Sequence, residues 1–290
     1  MNMNKALLLF ILFLTASAQA QFGSPKKGIV YTDVHSAAMA HPKATQLNLR
    51  DKQIFSLNDS IGALKELTFL NLMKNNLEFW NENIFLLKNL EVLNVHENHL
   101  KELPQQIGNL KNLVRLDIAK NSIAYLPASI GKLKKMKYFH ASLNQLVNLP
   151  TEISGCKKME VIELQNNQIS HLPSSFRRLK NMKKVNLGYN QFHEIEKGLT
   201  ACKNLEELNL EFNKIKKVPE EIGHLKNLKI LVLTSNQISF IPETLTELEN
   251  LEILILSQNN LSHLPKNLEK MSALKTLILS DNSFSAEEQH

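Results

Sequence analysis

Hydrophobic and polar residues follow one recurring pattern along most of the chain. From residue 44 onward the pattern is L-x-x-L-x-L-x-x-N-x-L with a return segment of twelve residues, and it repeats every 23 residues. Such a period is typical of proteins in which each unit stacks only on its neighbours. Lys52 holds the ninth position of the first unit, so the pattern predicts eleven repeats, the last ending at Phe284. The ninth position of the other ten units is asparagine: Asn75, Asn98, Asn121, Asn144, Asn167, Asn190, Asn213, Asn236, Asn259 and Asn282.

The centre of each unit predicts a short parallel strand, such as residues 47–49. Side chains alternate between the two faces of a strand, so a unit buries one central hydrophobic residue and needs its neighbours to close a core. We expect the recurrent asparagines to satisfy backbone groups where the chain leaves the strand. The Leu-Pro pairs of the return segments put proline where no sheet hydrogen bond is donated. The predicted buried column is Leu70, Leu93, Leu116, Phe139, Ile162, Val185, Leu208, Leu231, Leu254 and Leu277.

The pattern resembles that of the leucine-rich repeat proteins, specifically the 23-residue L-P-x-x-I class of bacterial proteins and of scaffolds that bind Ras-type GTPases. The resemblance covers residues 44–284 and implies an α/β solenoid, a right-handed horseshoe with the parallel β-sheet on its concave face. Family members usually bind macromolecules there, although the motif specifies the fold far better than the ligand. Phe79-Trp80 in repeat two and Ile195-Glu196 in repeat seven depart from Leu-Pro and predict different convex turns.

Residues 1–20 have the pattern of a secretory signal peptide. Lys5 precedes an apolar run over residues 6–14, and Ala18-Gln19-Ala20 supplies small residues before the cleavage point. No later stretch is long and apolar enough to span a bilayer. The mature chain is therefore predicted to be secreted, periplasmic or held at the cell surface.

Two short segments flank the predicted repeat domain. Residues 21–43 are predicted to form an N-terminal cap, in which Thr32 or Asp33 begins a helix that Pro42 ends and that covers the edge of the first strand. Residues 285–290 form a C-terminal tail too short for a full cap. An open strand edge would then remain, able to pair with a partner or a second copy.

Composition argues against several other classes of protein. At 290 residues, 43% hydrophobic and 21% charged, the chain is too apolar to be disordered. Cys156 and Cys202 share a slot two repeats apart, about 10 Å by strand spacing, so they are predicted to be buried free thiols. The histidines lack metal-ligand spacing, His96 and His140 included, and no catalytic motif is present. We therefore expect no metal site, no cofactor and no enzymatic activity.

The concave face is predicted to change character along the array. Its fifth motif position runs from Asn48 through Asp117, His140 and Glu163 to aliphatic residues in the last repeats. Contiguous apolar surface is typical of interaction sites, although β-branched residues also suit any strand surface. The candidate partner-binding residues are Tyr138, His140, Leu143, Tyr189, Phe212, Ile230, Val232, Ile253, Ile255 and Ile278.

Charge suggests a second candidate surface. Residues 111–217 hold 19 Lys and Arg against 9 Asp and Glu. Such a segment could bind an anionic polymer with salt-sensitive affinity, although lysine at this place is also a common solubilising feature of the family. Few aromatic residues are interleaved, so nucleic acid is not expected. One slot forms a lysine column: Lys65, Lys88, Lys111, Lys134, Lys157, Lys180, Lys203 and Lys226.

The sequence therefore predicts a secreted, non-enzymatic recognition module that binds a protein partner through its concave face. One alternative is binding of an anionic glycan or cell-envelope polymer by the central basic repeats. Another is an adaptor for a GTPase-type signalling partner, which the signal peptide argues against. The mature chain is expected to be a monomer, or a dimer formed through the concave face or a strand edge.

Overall fold

The computed structural model describes residues 27–41 and 43–285. In this part of the chain, parallel strands form one open sheet. Its strands follow chain order, and each residue pairs with the residue 23 positions later, as Leu70 does with Leu93. Each strand covers motif positions three to five, so β1 begins one residue before the predicted span 47–49. Strands β1 to β11 are Gln46–Asn48, Phe69–Asn71, Val92–Asn94, Arg115–Asp117, Tyr138–His140, Val161–Glu163, Lys184–Asn186, Glu207–Asn209, Ile230–Val232, Ile253–Ile255 and Thr276–Ile278.

Short 3-10 helices form the convex side. A proline usually stands just before the helix, and its carbonyl accepts the first hydrogen bond, as Pro104 O does from Ile107 N at 3.0 Å. Proline suits this place because its fixed φ is compatible and no N–H is lost from a ladder. The 3-10 helices are Asp59–Ala63, Glu82–Leu86, Gln105–Asn109, Ala128–Lys132, Thr151–Gly155, Ser174–Arg178, Glu220–His224, Glu243–Glu247 and Leu268–Lys270.

The hydrophobic core is continuous between the sheet and the convex helices. The predicted column is buried from Leu70 to Leu254, while Leu277 in the last strand is half-buried. Met136, Met159 and Met182 fill one core slot in consecutive repeats and are fully buried. These side chains account for the 23-residue hydrophobic period.

The recurrent asparagine joins neighbouring repeats through its side chain. Asn167 Nδ2 donates to Ala141 O at 3.0 Å and to Leu164 O at 2.9 Å, and its Oδ1 accepts from Leu146 N at 2.9 Å. Two of these partners belong to the preceding repeat. The asparagine column is therefore structural, as predicted, and satisfies backbone groups that would otherwise be buried without partners.

The predicted change of convex turn occurs in one of the two irregular repeats and not in the other. In repeat seven, Lys197–Thr200 forms α2 instead of a 3-10 helix, which confirms the predicted change of convex turn. Repeat two keeps an ordinary 3-10 helix, so the same prediction was wrong there. Asn81 takes the place of proline in an extended conformation and accepts a hydrogen bond from Asn83 N at 2.9 Å. Trp80 fills the leucine slot and donates through Nε1 to Glu102 O at 2.7 Å.

The N-terminal cap consists of a short extended segment followed by α1, Val34–Ala38. Asp33 is the N-cap and accepts from Ser36 N at 2.7 Å, as predicted. The helix packs against the first convex 3-10 helix, and Tyr31 pairs with the edge of β1 through bonds to Gln46 and Asn48. The strand edge is thus covered by the segment before the helix, not by the helix as expected.

Three of the sequence-based predictions concern residues outside the described part of the chain. These are the signal peptide over residues 1–20, the helix-ending role of Pro42 and most of the tail over residues 285–290. Among residues 27–41 and 43–285, no helix has the length and apolarity needed to cross a membrane.

Candidate functional site

In repeats one to eight, the fifth motif position forms a polar row along the floor of the concave face. Asn94, Asp117 and His140 are nearly inaccessible, because neighbouring strands lie about 4.8 Å apart and their side chains cover one another. Several of these side chains hold the turn that follows the strand, as when Asp117 Oδ1 accepts from Ala119 N at 3.0 Å. The row therefore serves the fold as well as lining the floor.

Burial shifts the pKa values of the two titratable residues at the middle of this row. The pKa of His140 is lowered to about 4, and the largest cause is burial. The pKa of Glu163 is raised to about 7, first by burial and second by the nearby charge of Asp117. His140 is thus neutral near pH 7, and Glu163 keeps its proton to a higher pH than an exposed glutamate does. Their nearest nitrogen and oxygen atoms are 3.5 Å apart, which is too long for a strong hydrogen bond.

The cysteines and histidines form no chemical centre in the described ranges. Cys156 and Cys202 are buried free thiols, as predicted, and burial raises their pKa to about 12 and about 11. Thiols of this kind are poor nucleophiles and poor metal ligands. Across residues 27–41 and 43–285, no three His, Cys, Asp or Glu side chains are grouped to hold a metal ion.

The structure brings the five aliphatic candidates of the last repeats together. Ile253 pairs with Ile230, and Ile255 pairs with Val232 and Ile278 on its two sides. The sequence-based interpretation assumed that all five are exposed. In the structure, Val232 and Ile255 are only 4% and 2% accessible. The reason is that the fifth position lies at the bottom of the concave floor, where adjacent strands enclose it. Ile230, Ile253 and Ile278 remain half-buried and form the accessible part of the patch.

Three exposed apolar side chains, which we call the ridge, stand at the eighth motif position, with the exposed polar Asn166 between Leu143 and Tyr189. Leu143, Tyr189 and Phe212 are 48%, 43% and 42% accessible. The rings of Tyr189 and Phe212 stack with centroids 4.2 Å apart and planes 13° apart. Tyr138 lies apart from the ridge at the third position, where the guanidinium of Arg115 sits 4.8 Å above its ring. The ridge, rather than the isoleucine patch, is the more accessible apolar surface of the predicted site.

The lysine column is partly engaged in holding the convex helices. Lys134 Nζ donates to Gly131 O at 2.6 Å, at the C-terminal end of a 3-10 helix. Lys88, Lys180 and Lys226 likewise donate to main-chain carbonyls. Positive charge at a helix C-terminus is favourable, so these lysines have a structural role. This placement weakens the interpretation of the column as a polyanion site.

A charge ladder that the sequence analysis missed runs along the second motif position. Lys137 and Lys183 contact Glu160 at 2.8 and 3.4 Å. The same alternation continues with Lys229 to Glu206 at 2.8 Å and Lys275 to Glu252 at 2.6 Å. The sequence contains a signal for this ladder, because the charge at the second motif position alternates in sign from one 23-residue repeat to the next. The ladder neutralises lysines that a count of net charge treats as available to a ligand.

Comparisons with known proteins agree with this geometry. A leucine-rich repeat family model matches residues 180–238, 203–258 and 226–284, and a second one matches residues 89–110. A leucine-rich repeat protein of Leptospira interrogans has a similar structure, with 32% identity and a TM-score of 0.85 over 89% of this chain. This chain spans 66% of the length of that protein. No curated protein is similar enough in sequence to count as a match.

Two plant receptors are also similar in structure. The leucine-rich repeat ectodomain of the membrane receptor kinase GASSHO1/SCHENGEN3 from Arabidopsis thaliana, in complex with Casparian strip integrity factor 2, is 28% identical with a TM-score of 0.62. The similarity covers 78% of this chain and 31% of the receptor. The plant peptide hormone receptor RGFR1 in complex with RGF2 is 27% identical, with a TM-score of 0.55 over 78% of this chain and 46% of that one.

Proposed function

The chain belongs to the leucine-rich repeat family, and from that premise we propose that it is a secreted recognition module without enzymatic activity that binds a protein partner through its concave face. Family membership, shared with two receptors whose structures contain bound ligands, supports binding as the type of activity. The signal-peptide pattern of residues 1–20 supports export. The buried thiols and the neutral, buried His140 offer no activated nucleophile, which supports the absence of enzymatic activity.

The observation that carries this proposal is the exposed apolar ridge of Leu143, Tyr189 and Phe212. Large apolar side chains that face solvent beside one another are typical of interaction surfaces, where aromatic residues contribute most of the binding energy. Ile230 and Ile253 extend accessible apolar surface along the same face toward the last repeats. A protein partner fits this surface better than a polyanion, because the ridge is apolar and Lys120, one repeat before Leu143 at the same motif position, is paired with Glu97 at 2.7 Å.

A capture experiment with matched variants tests the proposal. Residues 21–290 are immobilised and exposed to an extract of the organism that encodes the chain, and retained proteins are identified. We expect Ile230→Asp combined with Ile253→Asp to lose a partner that the unchanged chain retains. Leu86→Asp is the control, because Leu86 is exposed at 44% on a convex 3-10 helix. A partner that these variants and Tyr189→Asn combined with Phe212→Asn all retain to the same extent would refute binding by the concave face.

Export is tested separately by the mass of the protein after expression in that organism. Cleavage after Ala20 would give a chain that starts at Gln21 and is found outside the cytoplasm. A full-length chain confined to the cytoplasm would contradict the secreted part of the proposal while leaving the binding part intact.

A further inference from the structure

The return loop of the first repeat is open to solvent at positions that belong to the core elsewhere. In repeats two to ten, which have a neighbouring repeat on both sides, the hydrophobic residue at the eleventh motif position is at most 3% accessible. Ile54 holds this position in repeat one and is only half-buried. Leu57, three residues later, is also half-buried, whereas its counterparts Leu103 and Leu126 are 3% and 7% accessible.

The N-terminal cap covers the strand of the first repeat and leaves this loop uncovered. Tyr31 pairs with β1, and α1 packs against the first convex 3-10 helix. Between the start of α1 and the loop lies a recess of about 400 Å³, which we call the cap cleft. Leu49, Ile54 and Leu57 line it on the side of repeat one, and Val34 lines it on the side of α1. Because Val34, Ile54 and Leu57 are half-buried, this apolar lining can be reached from solvent.

A ladder of main-chain hydrogen bonds joins the loops of the array, and it has an open end at the cap cleft. In each of repeats two to eleven, the N–H of the tenth motif position donates to the carbonyl of the eleventh position in the preceding repeat. Asn76 N, for example, donates to Ile54 O at 2.8 Å. Gln53 holds the tenth position of repeat one, and within the described ranges its N–H has no such acceptor. Gln53 is exposed, so a carbonyl group of another chain can reach this donor.

The later repeats show what kind of segment covers such a surface. Each loop from repeat two onward is covered by a preceding loop that accepts the tenth-position N–H and carries a large hydrophobic residue at the eleventh position. That residue is leucine or isoleucine in every covering loop except the one that contains Phe192. Where a peptide adds to an open edge, main-chain hydrogen bonds give affinity and side-chain pockets give specificity. Gln53 and the apolar lining of the cap cleft supply both.

The charges at the cap cleft favour an apolar segment. Asp33 and Lys52 are the charged residues of the lining, and they are opposite in sign, so the lining has no net charge to attract an anionic lipid headgroup or a polyanion. Phe55 stands between the lining residues Ile54 and Ser56 in the chain and is 72% accessible. Its ring adds apolar surface that a bound segment can cover.

We propose that the cap cleft binds a peptide segment of a partner protein, which inserts a leucine or isoleucine side chain into the cleft and offers a main-chain carbonyl to the N–H of Gln53. The bound segment takes the place of the loop that a preceding repeat would supply. This surface lies at the N-terminal end of the array and is additional to the concave face of the proposed function.

Subtractive selection from a phage library of random linear peptides tests the cap cleft without knowledge of the partner. Peptides are kept if they bind residues 21–290 and discarded if they also bind the Ser56→Trp variant, in which an indole at the exposed rim covers the cleft. We expect the remaining peptides to share a motif with leucine or isoleucine at one position. Serine at that position of a synthetic peptide should weaken binding at least about tenfold. Asn148→Trp is the matched control, because Asn148 is exposed at the same motif position in repeat five, and it should leave affinity unchanged.

Hydrogen exchange followed by mass spectrometry tests the main-chain contact in the unchanged protein. A selected peptide should slow exchange in the segment that contains Gln53, because its N–H gains an acceptor, and should leave exchange in the equivalent loop of repeat five unchanged. Phe55→Ser should weaken the peptide about threefold or more, because apolar contact area is lost. Phe240→Ser changes an exposed phenylalanine in repeat nine and should have no effect.

Several results would each overturn the cap cleft as a peptide site. They are a selection that leaves no peptides specific for the unchanged chain, selected peptides that share no aliphatic position, and unchanged exchange at Gln53 in the complex. Sedimentation of the unchanged chain with phosphatidylcholine vesicles, reduced by Phe55→Ser, would overturn the proposal in favour of a lipid surface. None of these results bears on binding by the concave face.

Discussion

Nδ1 of His140 lies 3.5 Å from Oε2 of Glu163, on neighbouring strands of the concave floor. Both side chains are largely buried, and burial acts on them in opposite directions. It lowers the pKa of His140 from 6.5 to about 4 and raises the pKa of Glu163 from 4.5 to about 7. Burial, and not attraction within the pair, is the main cause in both cases, so each residue can be studied without the other.

The first prediction is that the two residues give opposite slopes of stability with pH. Unfolded His140 binds a proton that the folded form does not, so stability rises from about pH 4 to 6.5. Folded Glu163 binds a proton that the unfolded form does not, so stability falls from about pH 4.5 to 7. The contributions oppose each other where the ranges overlap.

Single substitutions separate these contributions. Glu163→Gln should leave the rising slope, and His140→Asn should leave the falling one, each on the order of 3 kcal/mol across its range. Urea unfolding followed by circular dichroism between pH 4 and 7 measures both. Parallel pH profiles for the two variants would show that burial does not set these pKa values.

The second prediction concerns the asparagine column. Asn167→Ala removes two donated bonds and one accepted bond and leaves backbone groups of two repeats buried without partners. We expect a loss of about 2–4 kcal/mol in the free energy of unfolding. Asn282→Ala is the control, because this half-buried residue makes the same bonds in the last repeat, where water can replace them. Equal losses in the two variants would contradict a role for burial.

The sequence predicts the repeat, the strands and the core because all three depend on the hydrophobic period alone. Leu70 and Leu93 are 23 residues apart, and that spacing is also the register of the sheet. The accessibility of the concave face depends on how neighbouring strands cover one another. Ile253 and Ile255 have the same chemistry in the same strand, yet only Ile255 is enclosed on the floor.

The sequence does not show which partners the side chains contact. Lys134 belongs to a column that looks like a binding surface, but its ammonium group holds a helix carbonyl. Lys229 and Glu206 are far apart in sequence and in contact across the ladder. The stacking of Tyr189 on Phe212 depends on the directions of the two side chains, which a repeat pattern does not report.

The third prediction tests whether the charge ladder keeps this side of the array from binding polyanions. Glu160→Lys, Glu206→Lys and Glu252→Lys together would turn the alternating ladder into one row of like charge. This triple variant should bind a heparin column and elute at a salt concentration well above that of the unchanged chain, because unpaired lysines release counterions on binding.

The matched control carries the same change in net charge on the convex helices, through Glu152→Lys, Glu220→Lys and Glu243→Lys. The salt concentration at which this control elutes should rise less, since those residues belong to separate 3-10 helices and not to the ladder. Tight heparin binding by the unchanged chain at physiological salt would instead support the anionic-polymer alternative.

The last prediction uses the two isoleucines of β10, which differ in burial and in little else. Ile255 is 2% accessible between Val232 and Ile278, so Ile255→Asp places a carboxylate in the floor without a partner and should cost at least about 3 kcal/mol. Ile253 is half-buried, and the carboxylate of Ile253→Asp can turn toward solvent at a cost of about 1 kcal/mol or less. Ile255→Val is the control for lost volume and should cost about 1 kcal/mol.

Urea unfolding ranks the stabilities of the three variants. If Ile253→Asp alone loses a partner and keeps its stability, the loss is due to the concave surface and not to unfolding. Similar destabilisation by both aspartates would mean that the third motif position is also part of the core, and the accessible patch would then shrink to the ridge at the eighth position.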